Sequence, residues 1–382
     1  MAKKKAATRR KFGILSIIIF VVNCLAILML LLSYLAVHVS PARNWILPFF
    51  GLSYPYFLLL NIIFVVFWAI RLKWVLVFSL FAILAGWNHL GRIFRISGDS
   101  ELEPGFKYLK VTSYNVKNLS NDNVDLVEPQ VRSNIIRFLD GTGSDIICLQ
   151  EMMIIHPDPD AFIDSLSQVM GLPYHAYARY ISVKKKAIDA IFTFSRYPII
   201  AYGEIGAEGV QNFALYTDIV RDSDTFRLFN IHLASIRLRH EDYNFIAEFD
   251  LQFNKDENIR ENSLRIFRKF KSAFHTRAGQ ADELAASIAA SPYPVIVCGD
   301  FNDTPNSYVY HTLSNNLTDA FLESGAGFGN TYIGKVPSFR IDNIMHDWHF
   351  HSRGFHRDLI SYSDHYPISC YIGWDKLEAT IQ

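Results

Sequence analysis

The sequence predicts an α/β (α+β) domain in which β-sheets pack on one another and on helices, preceded by about three transmembrane helices. The first 96 residues are dominated by uncharged apolar runs, whereas the composition beyond about residue 98 is that of an ordinary globular domain. In this second part, strand-like segments rich in β-branched and aromatic residues alternate with segments of helical periodicity. Several strands are apolar on both faces, as expected for sheets covered by another sheet and by helices.

The N-terminal region, residues 1–96, contains the predicted membrane spans at 12–37, 46–70 and 74–93. The first run carries no charge and exceeds the ~20 residues that cross a bilayer. A cleaved signal peptide would have a shorter apolar core and a small-residue cleavage site. Pro48 and Pro55 leave the start of the second run open to a loop or a kinked turn.

The distribution of Lys and Arg predicts the orientation in the membrane. Six Lys/Arg residues in "MAKKKAATRRK" precede the first span, Arg43 lies in the first loop, and Arg71 and Lys73 lie in the second. This bias places the N-terminus in the cytoplasm. With three spans, the C-terminal domain faces outward, which in a bacterial inner membrane is the periplasm. With two spans it would be cytoplasmic.

Charge and cysteine spacing give no indication of a basic nucleic-acid-binding surface, a zinc site or a disulfide framework. The 382 residues include 37 Lys/Arg and 37 Asp/Glu, so the formal net charge is zero and no overall basic surface indicates nucleic-acid binding. The four cysteines have neither the spacing of a zinc site nor that of a disulfide framework.

The globular part is predicted as one domain, residues 108–375, joined by a polar linker at 97–107. Helical periodicity covers 127–140, 160–170 and 261–290. Residues 236–262 are unusually charged and aromatic, which indicates an inserted lobe or lid, or else a solvated surface excursion.

Polar side chains stand at or near the ends of otherwise apolar strands. They are Asn115, Glu151, Asn230, His232, Asp300, Asn302, Asp342, Asp364 and His365. Within Asn230/His232 and Asp300/Asn302, the two-residue spacing puts both side chains on one face of an extended chain. Buried groups of these types need partners, and a divalent cation with an anionic substrate supplies them.

These residue types suit the hydrolysis of phosphate esters. Mg²⁺ prefers oxygen ligands, usually one or two carboxylates, and leaves positions for water and phosphate oxygens. A phosphate bound to the metal can be attacked in line while the metal offsets the charge on its oxygens. Histidines can serve as base or charge stabiliser when a carboxylate fixes the ring. We therefore predict Mg²⁺ as the cofactor, with Mn²⁺ as the alternative.

Six short motifs stand in the order and approximate spacing found in the endonuclease/exonuclease/phosphatase superfamily. They are "SYNV", "LQE", "NIHL", "GDFN", "IDNI" and "SDHYP". Residues 108 to about 374 resemble that superfamily, which includes deoxyribonucleases, sphingomyelinases and inositol polyphosphate phosphatases. The resemblance implies a four-layer sandwich of two packed, mostly antiparallel sheets flanked by helices, with the site at one edge of the sheets.

The resemblance also implies roles for the strand-end residues. Glu151 resembles the principal magnesium ligand, with Asn115 beside it and Asp364 helping directly or through water. The other positions resemble catalytic residues. Asp342 would hold the ring of His365, which activates or orients water, while Asp300 contacts the nucleophilic water and Asn302 the phosphate. Either Asp300 or His365 could be the formal base.

Three further residues complete the predicted site. His232 resembles the second histidine, which stabilises charge on the phosphoryl group or the leaving oxygen. Asn230 and Arg277 are predicted substrate contacts. For Arg277, in "RAGQ", a structural role between a helix and a loop is an equal alternative.

Two features bear on the substrate. Many abasic-site endonucleases of the superfamily carry an acidic residue where this sequence has Lys117, which puts a second metal site and abasic DNA in doubt. The stretch "VKKKA" at 183–187 is interpreted as a solvated loop or as a contact for phosphate or a lipid headgroup.

The sequence as a whole predicts a membrane-anchored, Mg²⁺-dependent phosphoesterase, a hydrolase acting on phosphodiesters or phosphomonoesters. Its predicted partners are the lipid bilayer and a phosphate ester, whether lipid headgroup, nucleic acid or soluble ester, and no protein partner is inferred. A membrane-tethered endonuclease or exonuclease is the alternative within the class. A catalytically inactive binding protein on the same fold is the alternative outside it.

Overall fold

An N-terminal helical region opens the structure, a computed structural model that describes residues 13–119, 129–180, 187–206, 213–247, 259–334 and 338–375. The first apolar run forms α1 (Ile14–Leu35), which continues as a 3₁₀ turn over Ala36–His38. The remaining helices of this region are shorter: α2 (Leu47–Leu52), α3 (Tyr54–Ile70), α4 (Leu76–Ala85) and α5 (Trp87–Gly91).

Among the described residues, one helical segment, Ile14–His38, is long and apolar enough to cross a membrane. The prediction of about three transmembrane helices is therefore wrong in number. The second run is interrupted at Ser53, because Pro48 and Pro55 each lie in the first turn of a new helix, where proline can begin a helix but cannot continue one. This leaves α3 with 17 residues, and Gly86 ends α4 after ten.

These helices bond polar side chains to one another inside and expose apolar side chains outside. Asn23 Nδ2 donates to Ser79 Oγ at 2.6 Å, and Asn23 Oδ1 accepts from Trp68 Nε1 at 2.8 Å. Asn61 Nδ2 donates to Ala26 O at 2.9 Å. The outward faces carry exposed apolar side chains, among them Ile18, Val22, Leu25, Leu59, Ile63 and Phe81. Polar side chains thus bond inside while apolar ones face outward, as in helices surrounded by lipid.

Two six-stranded sheets form the C-terminal domain. The strands of the first are β2 (Lys107–Asn115), β3 (Ile146–Ile155), β4 (Tyr174–Arg179), β5 (Ala187–Ser195), β13 (His351–Arg357) and β14 (Ile368–Trp374), in the order β13-β14-β2-β3-β5-β4. The strands of the second are β6 (Ile199–Ile205), β7 (Ala214–Arg221), β8 (Asp224–His232), β9 (Val295–Asp300), β10 (Thr318–Asp319) and β12 (Asp342–His346), in the order β10-β12-β9-β8-β7-β6.

Each sheet is mixed in the same way. β2 pairs parallel with β3 in the first sheet, and β8 pairs parallel with β9 in the second. The other described neighbours are antiparallel. The carboxyl ends of both parallel pairs point to one edge of the domain.

Helices cover the outer faces of the two sheets. α6 (Pro129–Gly141) and α7 (Pro159–Val169) pack on the first sheet, while α9 (Ile259–Ala289) and α10 (Tyr308–Leu313) pack on the second. A third apolar core lies between the sheets and contains Val111, Cys148, Leu228, Ile296 and Cys370. The predicted arrangement of two sheets flanked by helices is therefore confirmed.

The predicted helices correspond to α6, α7 and α9 with shifts of one or two residues at their ends. The charged segment 236–262 contributes α8 (His240–Ala247) and the start of α9, while 248–258 lie outside the described residues. Most of "VKKKA" and the basic residues 1–11 also lie outside them.

The N-terminal helices are docked on the C-terminal domain. Phe49 of α2 stacks on Phe267 of α9 with ring centroids 5.0 Å apart, and His38 lies edge-on to His311 at 4.7 Å. β1 (Phe94–Arg95) then pairs with β11 (Gly327–Phe328). The C-terminal end of α1 is therefore nearer to the C-terminal domain than its N-terminal end is.

A half-buried carboxylate ties the two sheets together away from their polar edge. Glu323 lies in α11 (Ala320–Ser324), and its Oε2 atom accepts from His346 Nε2 at 2.9 Å, from Ser352 N at 2.7 Å and from Ser352 Oγ at 2.7 Å. Burial alone would raise the pKa of this carboxyl, but the bonds from His346 and Ser352 lower it to about 2.

We expect Glu323→Gln to lower the free energy of unfolding by about 1–3 kcal/mol at neutral pH, because it weakens these bonds. The folded pKa lies below the unfolded value of about 4.3, so the stabilisation is present above that pH and is lost as the pH falls towards 2. Thermal unfolding of both proteins between pH 7 and pH 3 should therefore show the gap narrowing below about pH 4.3. Glu283→Gln, on the exposed side of α9, is the matched control. A gap that stays constant with pH would contradict this account.

Candidate active site

The polar strand ends meet at one edge of the two sheets. Asn115 ends β2 and Glu151 lies in β3, while His232 ends β8 and Asp300 ends β9. Because each parallel pair runs in one direction, its carboxyl ends meet at the same edge. Because the two sheets face each other, these residues of β2 and β3 lie close to those at the ends of β8 and β9.

The side chain of Asn115 joins the two sheets at this edge. Its Nδ2 atom donates to Glu151 Oε1 at 3.1 Å and to Asp300 Oδ2 at 3.0 Å. Its Oδ1 atom accepts from the backbone N of Lys117 at 3.0 Å. One buried amide therefore bridges two carboxylates that come from different sheets.

Unusual backbone conformations aim two of these residues at the site. Glu151 has φ of +51°, at a shift of register between β3 and β5 after Leu149. Asn302 has φ of +52°. Non-glycine residues adopt such angles at a cost of about 1–3 kcal/mol, and they concentrate at functional sites.

A glycine precedes Asp300 because the backbone of β8 lies too close for a side chain. Gly299 has φ of +136°, and a Cβ atom there would lie 2.1 Å from Ile231 O. This requirement explains the glycine in "GDFN". The chain then turns directly into Asp300 and Asn302.

Asp300 is surrounded by amide donors. Its Oδ1 atom accepts from the backbone N of Asn302 at 2.8 Å, and its Oδ2 atom accepts from Asn302 Nδ2 at 3.1 Å. Asn302 Nδ2 also donates to Leu233 O at 2.9 Å. These bonds fix both side chains at the end of β9.

Two histidines flank the carboxylates. His365 Nδ1 lies 2.9 Å from Asp342 Oδ2, which leaves its Nε2 atom 3.8 Å from Asp300 Oδ2. His232 Nε2 lies 3.1 Å from Glu151 Oε1 and 3.8 Å from Asp300 Oδ2. Asp342 therefore orients one ring.

The other ring is held by a residue that sequence reasoning missed. The hydroxyl of Tyr180 lies 2.7 Å from His232 Nδ1. Tyr180 is buried, and burial raises the pKa of its phenol well above the usual value. No motif marks this tyrosine, because it lies just beyond β4 and far from His232 in the chain.

Burial and neighbouring charges act in opposite directions on the two central carboxyls. Burial would raise the pKa of Glu151, but His232 and the Asn115 amide lower it to about 2. Burial raises the pKa of Asp300 to about 6 despite the opposing influence of His365. Glu151 is therefore the stronger anion, and Asp300 is the carboxylate that can take up a proton near neutral pH.

The carboxylates favour the charged form of both histidines. Burial alone would lower the pKa of His365, but Asp342 and Asp300 raise it to about 10. Glu151 and Asp300 likewise raise the pKa of His232 against the effect of burial. Both rings are thus suited to stabilising negative charge.

Two overlapping groups of side chains could hold a metal ion. Glu151, His232 and Asp300 place ligand atoms within 4.8 Å of one another, and so do Asp300, Asp342 and His365. Asp342 Oδ1 is buried and has no hydrogen-bond partner among the described residues. Each group supplies two carboxylates and one histidine, and carboxylate oxygens are ligands that Mg²⁺ prefers, so the residues fit a hard divalent cation.

Asp364, the remaining predicted metal ligand, is paired with a cation of the protein itself. Lys117 Nζ lies 2.8 Å from Asp364 Oδ2. The residue that set this sequence apart from abasic-site endonucleases therefore places an ammonium group at the site. Lys117 and Asp364 both line the cavity described next.

A cavity of about 530 Å³ opens onto these groups. The predicted site residues that line it are Glu151, Arg277, Asp300, Asn302, Asp364 and His365. Its other walls come from α9, from the segment before and within α8, and from the N-terminal helices.

The structure does not bring Asn230 to this cavity. Its side chain is fully buried, donates to Phe192 O at 2.7 Å and accepts from Gln150 Nε2 at 2.7 Å. These bonds link the two sheets beneath the site. The predicted substrate contact of Asn230 stays a prediction, and its observed contacts are structural.

Arg277 lies at the cavity but bonds to two loops that carry site residues. It donates from Nη1 to Ala234 O at 2.8 Å and from Nε to Asp303 Oδ2 at 3.2 Å. Gln280 Oε1 accepts from Ala234 N at 2.8 Å. The arginine and glutamine of "RAGQ" thus clamp one residue of the loop after β8, which agrees with the structural alternative for Arg277.

The chain is similar to several solved structures, three of which come from different sources. An endonuclease/exonuclease/phosphatase family protein from Leptotrichia buccalis is 14% identical, with 71% of this chain and 99% of that chain covered at a TM-score of 0.47. The catalytic domain of human nocturnin with bound sulfate is 19% identical, with 72% and 98% covered and a TM-score of 0.47. The 3′ phosphatase NExo from Neisseria, bound to a product DNA hairpin, is 16% identical, with 69% and 98% covered and a TM-score of 0.47.

Family models match both parts of the chain. Residues 16–93 match a domain of unknown function. No curated protein matches the chain. Residues 112–365 match the model described as the endonuclease/exonuclease/phosphatase family, and this range includes every strand-end residue of the site. The chain therefore belongs to the endonuclease/exonuclease/phosphatase family.

Proposed function

We propose that this protein is a membrane-anchored phosphoesterase that requires a divalent cation, Mg²⁺ before Mn²⁺. The observation that supports this most strongly is the bridge from Asn115 to Glu151 and Asp300, which gathers carboxylates of both sheets at one buried edge. Membership of a family named for nucleases and phosphatases supports the same class of hydrolase.

Glu151 would hold the cation, with Asn115 beside it and Asp364 within reach directly or through water. A bound Mg²⁺ would supply charge stabilisation to the phosphate oxygens. Asp364 would share its carboxylate with Lys117, whose ammonium group adds a second positive charge on that side of the cavity.

Asp300 is the base in the proposed reaction. It lies at the cavity and has one oxygen facing His365 Nε2 at 3.8 Å. A water molecule donates its proton to this carboxylate as its oxygen attacks phosphorus. His365 cannot easily serve as base, because Asp342 occupies its Nδ1 atom and favours the charged ring.

The histidines and Asn302 act on the phosphoryl group. His365 donates from Nε2 to a phosphoryl oxygen, and Asn302 would contact the phosphate with its amide. His232, held by Tyr180, stabilises the leaving oxygen. The phosphorus–oxygen bond to the leaving alcohol breaks, and the proton taken from water ends on that alcohol.

The N-terminal helices support the proposed anchor. α1 is apolar along its length, and the buried hydrogen bonds among Asn23, Ser79 and Trp68 leave the outward faces apolar. Exposing such a surface to water would be unfavourable, whereas lipid accommodates it. The six basic residues lie before α1, and its other end adjoins the C-terminal domain. We therefore propose that the catalytic domain lies on the outer side, opposite the N-terminus.

Hydrolysis should depend on the metal. We expect the purified full chain in detergent to release 4-nitrophenol from 4-nitrophenyl phosphate or its methyl diester with Mg²⁺. EDTA should reduce the rate to background, since the carboxylates would then lack their counter-charge. Adding back excess Mg²⁺ should restore it, whereas a rate that EDTA leaves intact would refute the metal requirement.

Asp300→Asn should lower kcat by about 10²–10⁴-fold, because the amide cannot accept the proton of water. The matched control is Asp347→Asn. Asp347 lies at the opposite end of the same sheet, where it accepts from Val295 N at 2.6 Å. Both variants should keep near-native thermal unfolding. Equal activity of Asp300→Asn and Asp347→Asn would remove Asp300 from the mechanism.

The orientation can be measured with C-terminal fusions in a bacterial host. An alkaline phosphatase fused after residue 382 should be active, because that enzyme needs the disulfide-permissive outer compartment. A green fluorescent protein fused at the same place should be dark if exported in unfolded form. The opposite pair of results would place the catalytic domain in the cytoplasm.

A further inference from the structure

Two chemically different sets of side chains line the cavity at the site. One set comprises the charged and amide groups of Glu151, Asp300, Asn302, Asp364 and His365. The other set, called the apolar wall below, comprises the apolar and aromatic side chains of Leu52, Tyr56, Leu238, Ile246, Phe270 and Phe339. A substrate that contacts both sets must itself be amphiphilic.

The apolar wall is a built part of the fold. Phe49 of α2 packs on three rings of α9, with centroid distances of 5.0 Å to Phe267, 5.6 Å to Phe270 and 5.2 Å to Phe274. This contact holds the turn between α2 and α3 against the catalytic domain. Leu52 therefore faces the cavity from a fixed position.

The N-terminal helices also rest on the loop that follows Asp300 and Asn302. Arg92 Nη1 donates to Pro305 O at 3.1 Å, and His89 Nδ1 lies 2.7 Å from Asn306 Oδ1. A Cβ atom on Gly51 would lie 2.3 Å from Asn306 O. The helical region and the catalytic loop therefore form one surface around the cavity.

The apolar wall continues out of the cavity along α3. Tyr56 and Ile246 are exposed by 52% and 41%. Leu59 and Ile63, exposed by 56% and 53%, follow Tyr56 at spacings of three and seven residues and share its face of the helix. An apolar stripe thus leads from the catalytic groups to the surface that we assign to the bilayer.

We propose that the substrate is a membrane lipid with a phosphate ester, whose phosphate binds at His365 and Asn302, next to Glu151 and Asp300. Its first methylene groups would lie on the wall at Leu52, and its chains would extend over the stripe of α3. A pocket of this size holds about one drug-sized ligand, so full-length chains must leave it. The proposal rests on the proposed phosphoesterase function. Water's oxygen would join phosphorus, the ester bond would break, and the alcohol would leave with a proton.

Chain-length dependence tests the apolar wall. The probes are 4-nitrophenyl alkyl phosphodiesters and alkyl monophosphates from methyl to octyl, assayed with Mg²⁺ on the full chain in detergent. The variant Tyr56→Ser/Ile246→Ser is compared with Tyr202→Ser/Ile155→Ser, whose residues are exposed by 60% and 54% and do not line the cavity. At each alkyl chain length the native rate is divided by the variant rate, so that differences in how the probes partition into detergent cancel.

We expect the ratio of native to Tyr56→Ser/Ile246→Ser rates to rise about three- to tenfold from methyl to octyl, because buried methylenes lose their partners. The ratio to the control variant should stay flat. If the ratio stayed flat for both variants while methyl esters were still hydrolysed, the proposed lipid contact with the apolar wall would be wrong and the phosphoesterase function would stand. No turnover of any ester would overturn both.

A vesicle experiment tests the bilayer as the source. The full chain is reconstituted in phosphatidylcholine vesicles, and phosphatidyl-4-nitrophenol is placed either in the same vesicles or in separate ones. We expect 4-nitrophenol release only from the shared vesicles. Equal rates from both would show capture of the amphiphile from solution and would overturn a bilayer source.

Discussion

The structure depends on how carboxylates of two different sheets are held at one buried edge. Glu151 and Asp300 come from separate sheets, and the amide of Asn115 lies between them. Like charges this close repel strongly in a medium of low dielectric constant. The amide and the rings of His232 and His365 offset this repulsion, and a cation held there would offset it further. The strained backbone at Glu151 directs its side chain to this edge, and the glycine before Asp300 leaves room for the backbone of β8.

The site is also a meeting point of two regions of the chain. The helical region supplies one wall of the cavity and contacts the loop after β9, so neither region alone completes the cavity. In the helical region, Asn23 and Asn61 are bonded inside and apolar side chains face outward, which fits a lipid environment. A phosphoesterase built in this way would meet its substrate at the membrane surface.

Neighbouring polar residues of the same motifs have different tasks. His232 lies at the site, yet Asn230, two residues earlier on β8, is fully buried and bonds to the other sheet. In "RAGQ", Arg277 and Gln280 both hold Ala234. A shared spacing places such residues on one face, but how deeply each is buried depends on the neighbouring sheet. The motif alone therefore could not tell whether a residue contacts the substrate or supports a loop.

The sequence by itself determined the class of fold and the placement of polar residues at strand ends, and its resemblance to a superfamily implied the pairing of Asp342 with His365. Periodicity, strand-end placement and residue order are local properties, and they survive in the linear chain. Only the tertiary structure decided which carboxylates meet across the sheets, that Tyr180 holds His232 and that Lys117 pairs with Asp364. It also showed that, among the described residues, one helix is long and apolar enough to cross a membrane, and it placed the turn between α2 and α3 against the cavity. These outcomes depend on contacts between segments far apart in the chain, which spacing along one strand or helix does not encode.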